Sequence, residues 1–231
     1  MIVTVVGLNE TDRAGEVLAA GLPDFSVRTV DSVAAVLPDT EVLSVMVPHR
    51  VEASALTALP NLKLITTRST GYDHIDLETT KAAGITVCNV PAYGDKTVAE
   101  YTFALLLALT RKLNVSLSRA ASGDFSPEGL RGIDLSGKTL GLIGAGRIGR
   151  CVARIARGFG MEVLACDPNP LPEEAERIGF TYVPLDTLLP RADVLCLCAL
   201  LNASTRHLLN AETITALKPG AIVVNTGRGG L

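Results

Sequence analysis

Residues 139–149 read TLGLIGAGRIG. The first five form a short aliphatic run of the kind that makes a buried strand, and the last six fit G-x-G-x-x-G. Alone, three glycines say little. Here a helical pattern runs on from Arg147 to about Phe159, and a second strand-like run, MEVLACD, ends on Asp167, 18 residues after Gly149. Strand, glycine turn, helix and distal acid together make a βαβ unit that cradles a dinucleotide. Gly144 permits the tight turn, Gly146 lets backbone approach a pyrophosphate at the helix N-terminus, and Gly149 lets helix and strand pack closely. Asp167 would accept from a ribose 2′-hydroxyl and repel a 2′-phosphate. No arginine follows it in DPNPLP to hold that phosphate, so the expected cofactor is NAD, not NADP.

The same rhythm extends outward. Before the motif, strand-like runs at 1–6, 25–30, 41–47, 62–67 and 85–90 alternate with helical patterns at 10–21, 32–37, 52–59 and 75–84. Such alternation calls for a parallel sheet covered on both faces. Gly84 suits a helix C-cap. The rhythm breaks at Pro91, where PAYGDK forms a connector. From Thr97 a long apolar helix is expected, opened by a capping box of Thr97 and Glu100 and buried between two layers. Residues 122–138 read as loop. After the motif, further strands are expected at 181–185, 192–198 and 221–225. The fold class is α/β, with residues 1–96 as one domain and 97–231 as the dinucleotide-binding one.

Composition narrows the function. The net charge is -3, and no basic block exceeds two residues, which speaks against nucleic acid or a membrane surface as partner. Aromatics make up 4% of the chain with no tryptophan, too few for a base-stacking surface. The N-terminus has no signal-peptide pattern, and the apolar run from Val98 to Leu109 is too short to cross a bilayer. The five cysteines are odd in number and lie in apolar segments, as reduced thiols of a cytoplasmic protein do. Cys196 and Cys198 form a C-x-C without a second ligand pair, so no metal site is expected.

Four stretches in order, STGYDHIDL (69–77), NVPAYGDKTVAE (89–100), GLIGAGRIG (141–149) with Asp167, and VVNTGRGGL (223–231), resemble the D-isomer-specific 2-hydroxyacid dehydrogenases, most closely their D-lactate dehydrogenase branch. The resemblance spans the whole chain. It implies a flavodoxin-like substrate domain followed by a Rossmann-type NAD-binding domain, a site in the cleft between them, and reversible reduction of a 2-keto acid by NADH. It also implies the residue roles. Backbone N–H groups of Ser69, Thr70 and Gly71 would hold the substrate carboxylate, and Tyr93 would line the substrate side. Val98 would approach the nicotinamide, Arg147 and Ile148 would flank the pyrophosphate, and Ala199, Leu200, Thr205, Thr226 and Gly227 would lie along the coenzyme. Arg228 matches the catalytic arginine. A homodimer is usual for the fold, with the Thr97 helix as interface element. The chain departs from the family where Cys198-Ala199-Leu200 replaces His-x-Pro, a change that frees the loop and removes a hydrogen-bonding group, and where Gly227 replaces alanine, a change toward looseness.

Arg228 also stands on its own chemistry. It leaves the C-terminal end of a predicted strand, where α/β sheets bind ligands, and glycines at 227, 229 and 230 let the backbone come close. A guanidinium can grip a carboxylate with its planar fork and polarise the adjacent carbonyl. A proton donor is still required. His74 reads as a capping or solvent residue, His207 as exposed, and His49 as the best local candidate, with Arg50 beside it placed to touch substrate. In the family the acid/base histidine and its glutamate follow the arginine loop, so a truncated family member with an incomplete coenzyme domain is the simplest expectation. The rivals are a non-catalytic NAD-binding regulatory module of the same fold and a member acting on hydroxypyruvate or glycerate, phosphoglycerate, formate or phosphite.

Overall fold

Parallel pairing organises the chain twice. The structure, a computed structural model, describes residues 1–8 and 14–231, so the expected helix at 10–21 is seen only from residue 14 onward and its first turn lies outside the described residues. Residues Met1–Tyr93 form one compact unit and Gly94–Leu231 another. In the first, the elements run β1 (Ile2–Val6), α1 (Ala14–Gly21), β2 (Ser26–Val30), β3 (Val42–Val45), α2 (Ala53–Thr57), β4 (Leu64–Thr67), α3 (Leu77–Ala82) and β5 (Thr86–Cys88). The strand order β2-β1-β3-β4-β5 is the flavodoxin-like one. Leu43, Val45 and Ile65 are fully buried, as a sheet covered on both faces requires.

The second unit runs α4 (Asp95–Thr110), α5 (Leu113–Ala121), β6 (Thr139–Ile143), α6 (Arg147–Gly158), β7 (Glu162–Cys166), α7 (Pro172–Ile178), β8 (Thr181–Tyr182), α8 (Leu185–Leu188), β9 (Val194–Leu197), α9 (Ala211–Thr215) and β10 (Ile222–Asn225). Its order β10-β9-β6-β7-β8 is the Rossmann arrangement, with the topological switch between β6 and β9. All five residues of β6 are buried, which makes it the central strand that the opening motif implied.

Three local expectations need correction. The predicted helix at 32–37 is a single 3₁₀ turn, Val33–Ala35, because Pro38 disfavours helical geometry in the residue before it. The long helix begins at Asp95, with Gly94 as N-cap and no side-chain cap bond, so Thr97 lies inside the first turn and forms no capping box. It is also not buried all round. Ala99, Thr102, Phe103, Leu106 and Thr110 face inward, with Phe103 stacked on Phe159 at 5.4 Å. Tyr101, Leu105 and Leu109 are exposed. Thr102 and Thr110 can face the core because their hydroxyls donate to the carbonyls of Val98 and Leu106, 2.8 and 2.9 Å away. The helix then breaks at Lys112, whose φ of 52° is left-handed, and α5 follows. Gly84, at φ +69°, directly follows the C-cap residue Ala83 of α3.

Asp193 ties the N-terminal ends of three strands in the second unit. Its carboxylate accepts from Thr139 N–H at 2.8 Å and from Lys218 Nζ at 3.0 Å. Burial alone would raise its pKa, but the Thr139 and Lys218 hydrogen bonds outweigh it and hold the carboxyl below its ordinary range. A depressed folded pKa gives stability that is present above the unfolded value of about 4 and is lost as pH falls through the folded one. Asp193→Asn therefore lowers the thermal midpoint at pH 7, and the gap to the unsubstituted protein closes below about pH 4. Leu106→Ala, at a fully buried position, lowers unfolding free energy by about 2–5 kcal/mol in denaturant titrations.

Candidate functional site

The turn from β6 into α6 is built from missing side chains. Gly144 has φ +91°, and a Cβ there would stand 2.6 Å from Ala199 N and 2.8 Å from Cys198 C, in the loop after β9. A Cβ on Gly149 would collide with the carbonyl oxygen of Gly144, so the first turn of α6 lies directly on the loop that precedes it. Around Gly146 there is open space. The twelve-residue α6 starts there with no side-chain cap, so its first N–H groups and the helix dipole face an uncovered backbone. A pyrophosphate fits that cradle. Asp167, just past β7, accepts from Ala145 N–H at 2.7 Å and from Asn169 N–H at 2.8 Å, which seats its carboxylate against the glycine turn. Arg147 is exposed and pairs through Nε with Asp95 Oδ2 at 2.7 Å, while Ile148 packs on the core.

Arg228 is held by its own loop. Asn225, the last residue of β10, accepts from Gly227 N–H at 3.0 Å and donates from Nδ2 to the Arg228 carbonyl at 2.9 Å. Past the arginine, His207 and Leu209 donate their N–H groups to the carbonyls of Gly230 and Leu231 at 2.7 and 2.8 Å. The Arg228 side chain is half-buried, with Nη1 3.2 Å from the Gly227 carbonyl. Gly227 is a tight position: a Cβ would come within 3.0 Å of Leu231 and 3.4 Å of the Ala199 and Leu197 carbonyls. The loop after β9 is tied down despite lacking proline. Thr205 Oγ1 donates to the Leu200 carbonyl at 2.6 Å, and Asn202 Oδ1 accepts from the N–H groups of Ser204 and Thr205 at 2.9 and 3.1 Å. Cys198 is hydrogen-bonded to Thr226. Thr226 also bonds Thr102 at 2.9 Å, which joins the Arg228 loop to α4 four residues after Val98. The loop is therefore braced, contrary to the expectation that it would be freed.

In the first unit, the segment after β4 presents backbone donors. The carbonyls of Ser69, Thr70 and Gly71 accept from Val90 N–H at 3.2 Å, Asn89 Nδ2 at 2.9 Å and Ser69 Oγ at 2.7 Å. Among the described residues their N–H groups donate no hydrogen bond within the chain. Three satisfied carbonyls beside three N–H groups without a partner in the chain leave this segment with donors to spare. Arg68 supports it from behind, donating to the Val6 carbonyl at 2.8 Å and to Ser44 Oγ at 3.0 Å. Tyr93 and Arg50 are exposed. His49 lies over Gly7, where any Cβ would strike its ring, and His207 is exposed with φ 52°. His74 is not a solvent or capping residue: it is 6% exposed and bonded to Thr67 at 3.1 Å.

Comparison with known proteins agrees with these two folds. The description "D-isomer specific 2-hydroxyacid dehydrogenase, NAD binding domain" matches residues 103–231. A 2-hydroxyacid dehydrogenase homolog of Zymomonas mobilis is 40% identical over 196 residues, covering 84% of this chain and 59% of its own length. Hydroxypyruvate reductase of Thermotoga maritima is 40% identical over 204 residues, covering 87% of this chain and 64% of its own. The crystal structure of D-lactate dehydrogenase from Aquifex aeolicus, complexed with NAD and lactic acid, is 35% identical with a TM-score of 0.92 over 99% of this chain and 69% of that one. The chain thus belongs to the D-isomer-specific 2-hydroxyacid dehydrogenase family, and Gly94–Leu231 carries that family's NAD-binding domain. It spans about 59–64% of the length of the first curated relatives it matches.

Several residues that shape these loops escaped the sequence reading. Asn225 had a signal, since an Asx residue ahead of a glycine-rich turn commonly bonds the backbone two residues on. The Asp95–Arg147 pair, separated by 52 residues, had none. Burial pushes the Cys196 thiol well above its ordinary range and Cys198 up to about 12, the latter against the Thr226 hydrogen bond. At pH 8 a thiol reagent should therefore label exposed Cys88 in the native protein and reach buried Cys196 only after unfolding. Gly144→Ala, which adds both a left-handed strain and an atom inside contact distance, should lower stability by roughly 1–3 kcal/mol in denaturant titrations.

Proposed function

We propose that the protein interconverts a 2-keto acid and a D-2-hydroxy acid of the lactate type with NAD as hydride carrier. The observation that carries this reading is Arg228, a cation held half-buried by the Asn225 clasp at the C-terminal end of β10, in the same unit as the glycine cradle. The bound nicotinamide supplies the hydride. The chain's own residues bind and orient. Ser69, Thr70 and Gly71 direct N–H groups to the substrate carboxylate, and Tyr93 and Arg50 serve the substrate side. Arg228 grips the carboxylate and polarises the keto oxygen, so that negative charge developing there is stabilised. Gly144, Gly146, Arg147, Ile148 and Gly149 receive the pyrophosphate, and Asp167 the ribose. Val98, Ala199, Leu200, Thr205, Thr226 and Gly227 line the remaining coenzyme path. Relatives named D-lactate dehydrogenase and hydroxypyruvate reductase support the substrate class and leave its side chain to experiment.

A second copy of the chain is the expected partner. Tyr101, Leu105 and Leu109 on α4 and Leu113 and Leu117 on α5 form an exposed apolar surface of the kind that subunit contacts cover. The five free thiols support a cytoplasmic setting. Among the described residues no helix is long and apolar enough to cross a membrane.

The test is NADH oxidation with pyruvate, hydroxypyruvate and phenylpyruvate. Turnover with at least one is expected, and Arg228→Gln should lower kcat/KM about 10²–10³-fold. Coenzyme binding with no turnover on any 2-keto acid would contradict the dehydrogenase reading and favour a regulatory NAD-binding module. Sedimentation should give a dimer that Leu109→Glu converts to monomer.

A further inference from the structure

The carboxylate loop is set by a hydrogen-bond chain whose direction the geometry determines. Ser69 Oγ donates to the Gly71 carbonyl at 2.7 Å. A hydroxyl has one hydrogen, so the 2.6 Å bond between Thr67 Oγ1 and Ser69 Oγ must be donated by Thr67. That uses the Thr67 hydrogen, so the 3.1 Å bond between Thr67 Oγ1 and His74 Nε2 must be donated by the imidazole. His74 Nε2 therefore carries a proton. The relay is buried: Thr67 is 0%, His74 6% and Ser69 7% exposed, so water does not compete for these bonds. The backbone of the same histidine accepts from Val51 N–H at 2.8 Å, which links the loop to the segment that follows His49 and Arg50.

We propose that His74 is a positioning residue for substrate: fixed as the Nε2–H tautomer, it holds Thr67 and Ser69 so that the Gly71 carbonyl turns inward and the N–H groups of residues 69–71 face the carboxylate. The role rests on the reading of that loop as the carboxylate site. Nothing in it requires His74 to exchange a proton or touch substrate. Its nitrogen acts as a fixed donor three hydrogen bonds from the loop carbonyl. An Nδ1–H tautomer would set two acceptors, Nε2 and the Thr67 oxygen, against each other and would break the relay at its first bond.

Two measurements on the full chain decide it. Long-range ¹H–¹⁵N spectra of histidine-labelled protein should show His74 with hydrogen on Nε2, and hydrogen on Nδ1 alone would overturn the proposal. Amide shifts of residues 69–71 should move on titration with sodium pyruvate in the presence of NAD. Thr67→Val and His74→Leu should weaken that binding about three- to tenfold, the loss of one buried hydrogen bond, while NAD affinity stays unchanged. Thr67→Ser and His74→Gln keep the donors in place and should restore it. Pyruvate binding unchanged in Thr67→Val would overturn the role of the relay while leaving the carboxylate site standing. Amides that stay silent in the unsubstituted protein would overturn the carboxylate site itself, and the positioning role with it, whatever the tautomer.

Discussion

At Gly144 the chain turns out of β6 with φ +91°, and the loop after β9 crosses so near that one added carbon would meet its backbone at 2.6 Å. The first turn of α6 presses on the same spot through Gly149. Much else in the second unit follows from this crossing of bare backbone. It brings Ala199 beside the glycine turn, and Ala199 and Leu197 in turn border Gly227, the residue before Arg228. It leaves the Gly146 backbone open, with a helix N-terminus behind it. The glycine turn and the Arg228 loop therefore share one packing constraint, located at the topological switch between β6 and β9, where such sheets bind ligands.

The polar groups around that crossing are nearly all used to hold loops. Asn225 clasps the Arg228 loop, Thr205 and Asn202 brace the loop after β9, and Thr226 bridges Cys198 to Thr102. Side-chain clasps thus fix the course of the loop that carries Cys198, Ala199 and Leu200. The first unit follows a similar plan after β4, where the carbonyls of Ser69, Thr70 and Gly71 are each held by a hydrogen bond.

Much of the fold was legible because periodic burial dictates it. Each of the ten described strands falls within a run of apolar and β-branched residues, and the strand–glycine–helix–acid order marks the Rossmann unit without recourse to tertiary contacts. The failures were local. Residues 32–37 carry too little pattern to tell a helix from one 3₁₀ turn ahead of Pro38. The apolar circumference of α4 suggested burial all round, yet Tyr101, Leu105 and Leu109 are exposed, because apolar content alone does not tell a core face from a solvent-facing one. His74 was misjudged because a histidine near a helix start is ordinarily a surface residue. Only the fold brings Thr67, seven residues earlier on β4, to its ring.

Calorimetric titration of the protein with NADH and NADPH tests the central claim most directly, because it reads the glycine cradle and Asp167 without depending on turnover. The account predicts that NADH binds at a single site and that NADPH binds at least about tenfold more weakly, since its 2′-phosphate would face the Asp167 carboxylate. No heat with NADH, or equal affinity for the two coenzymes, would contradict it.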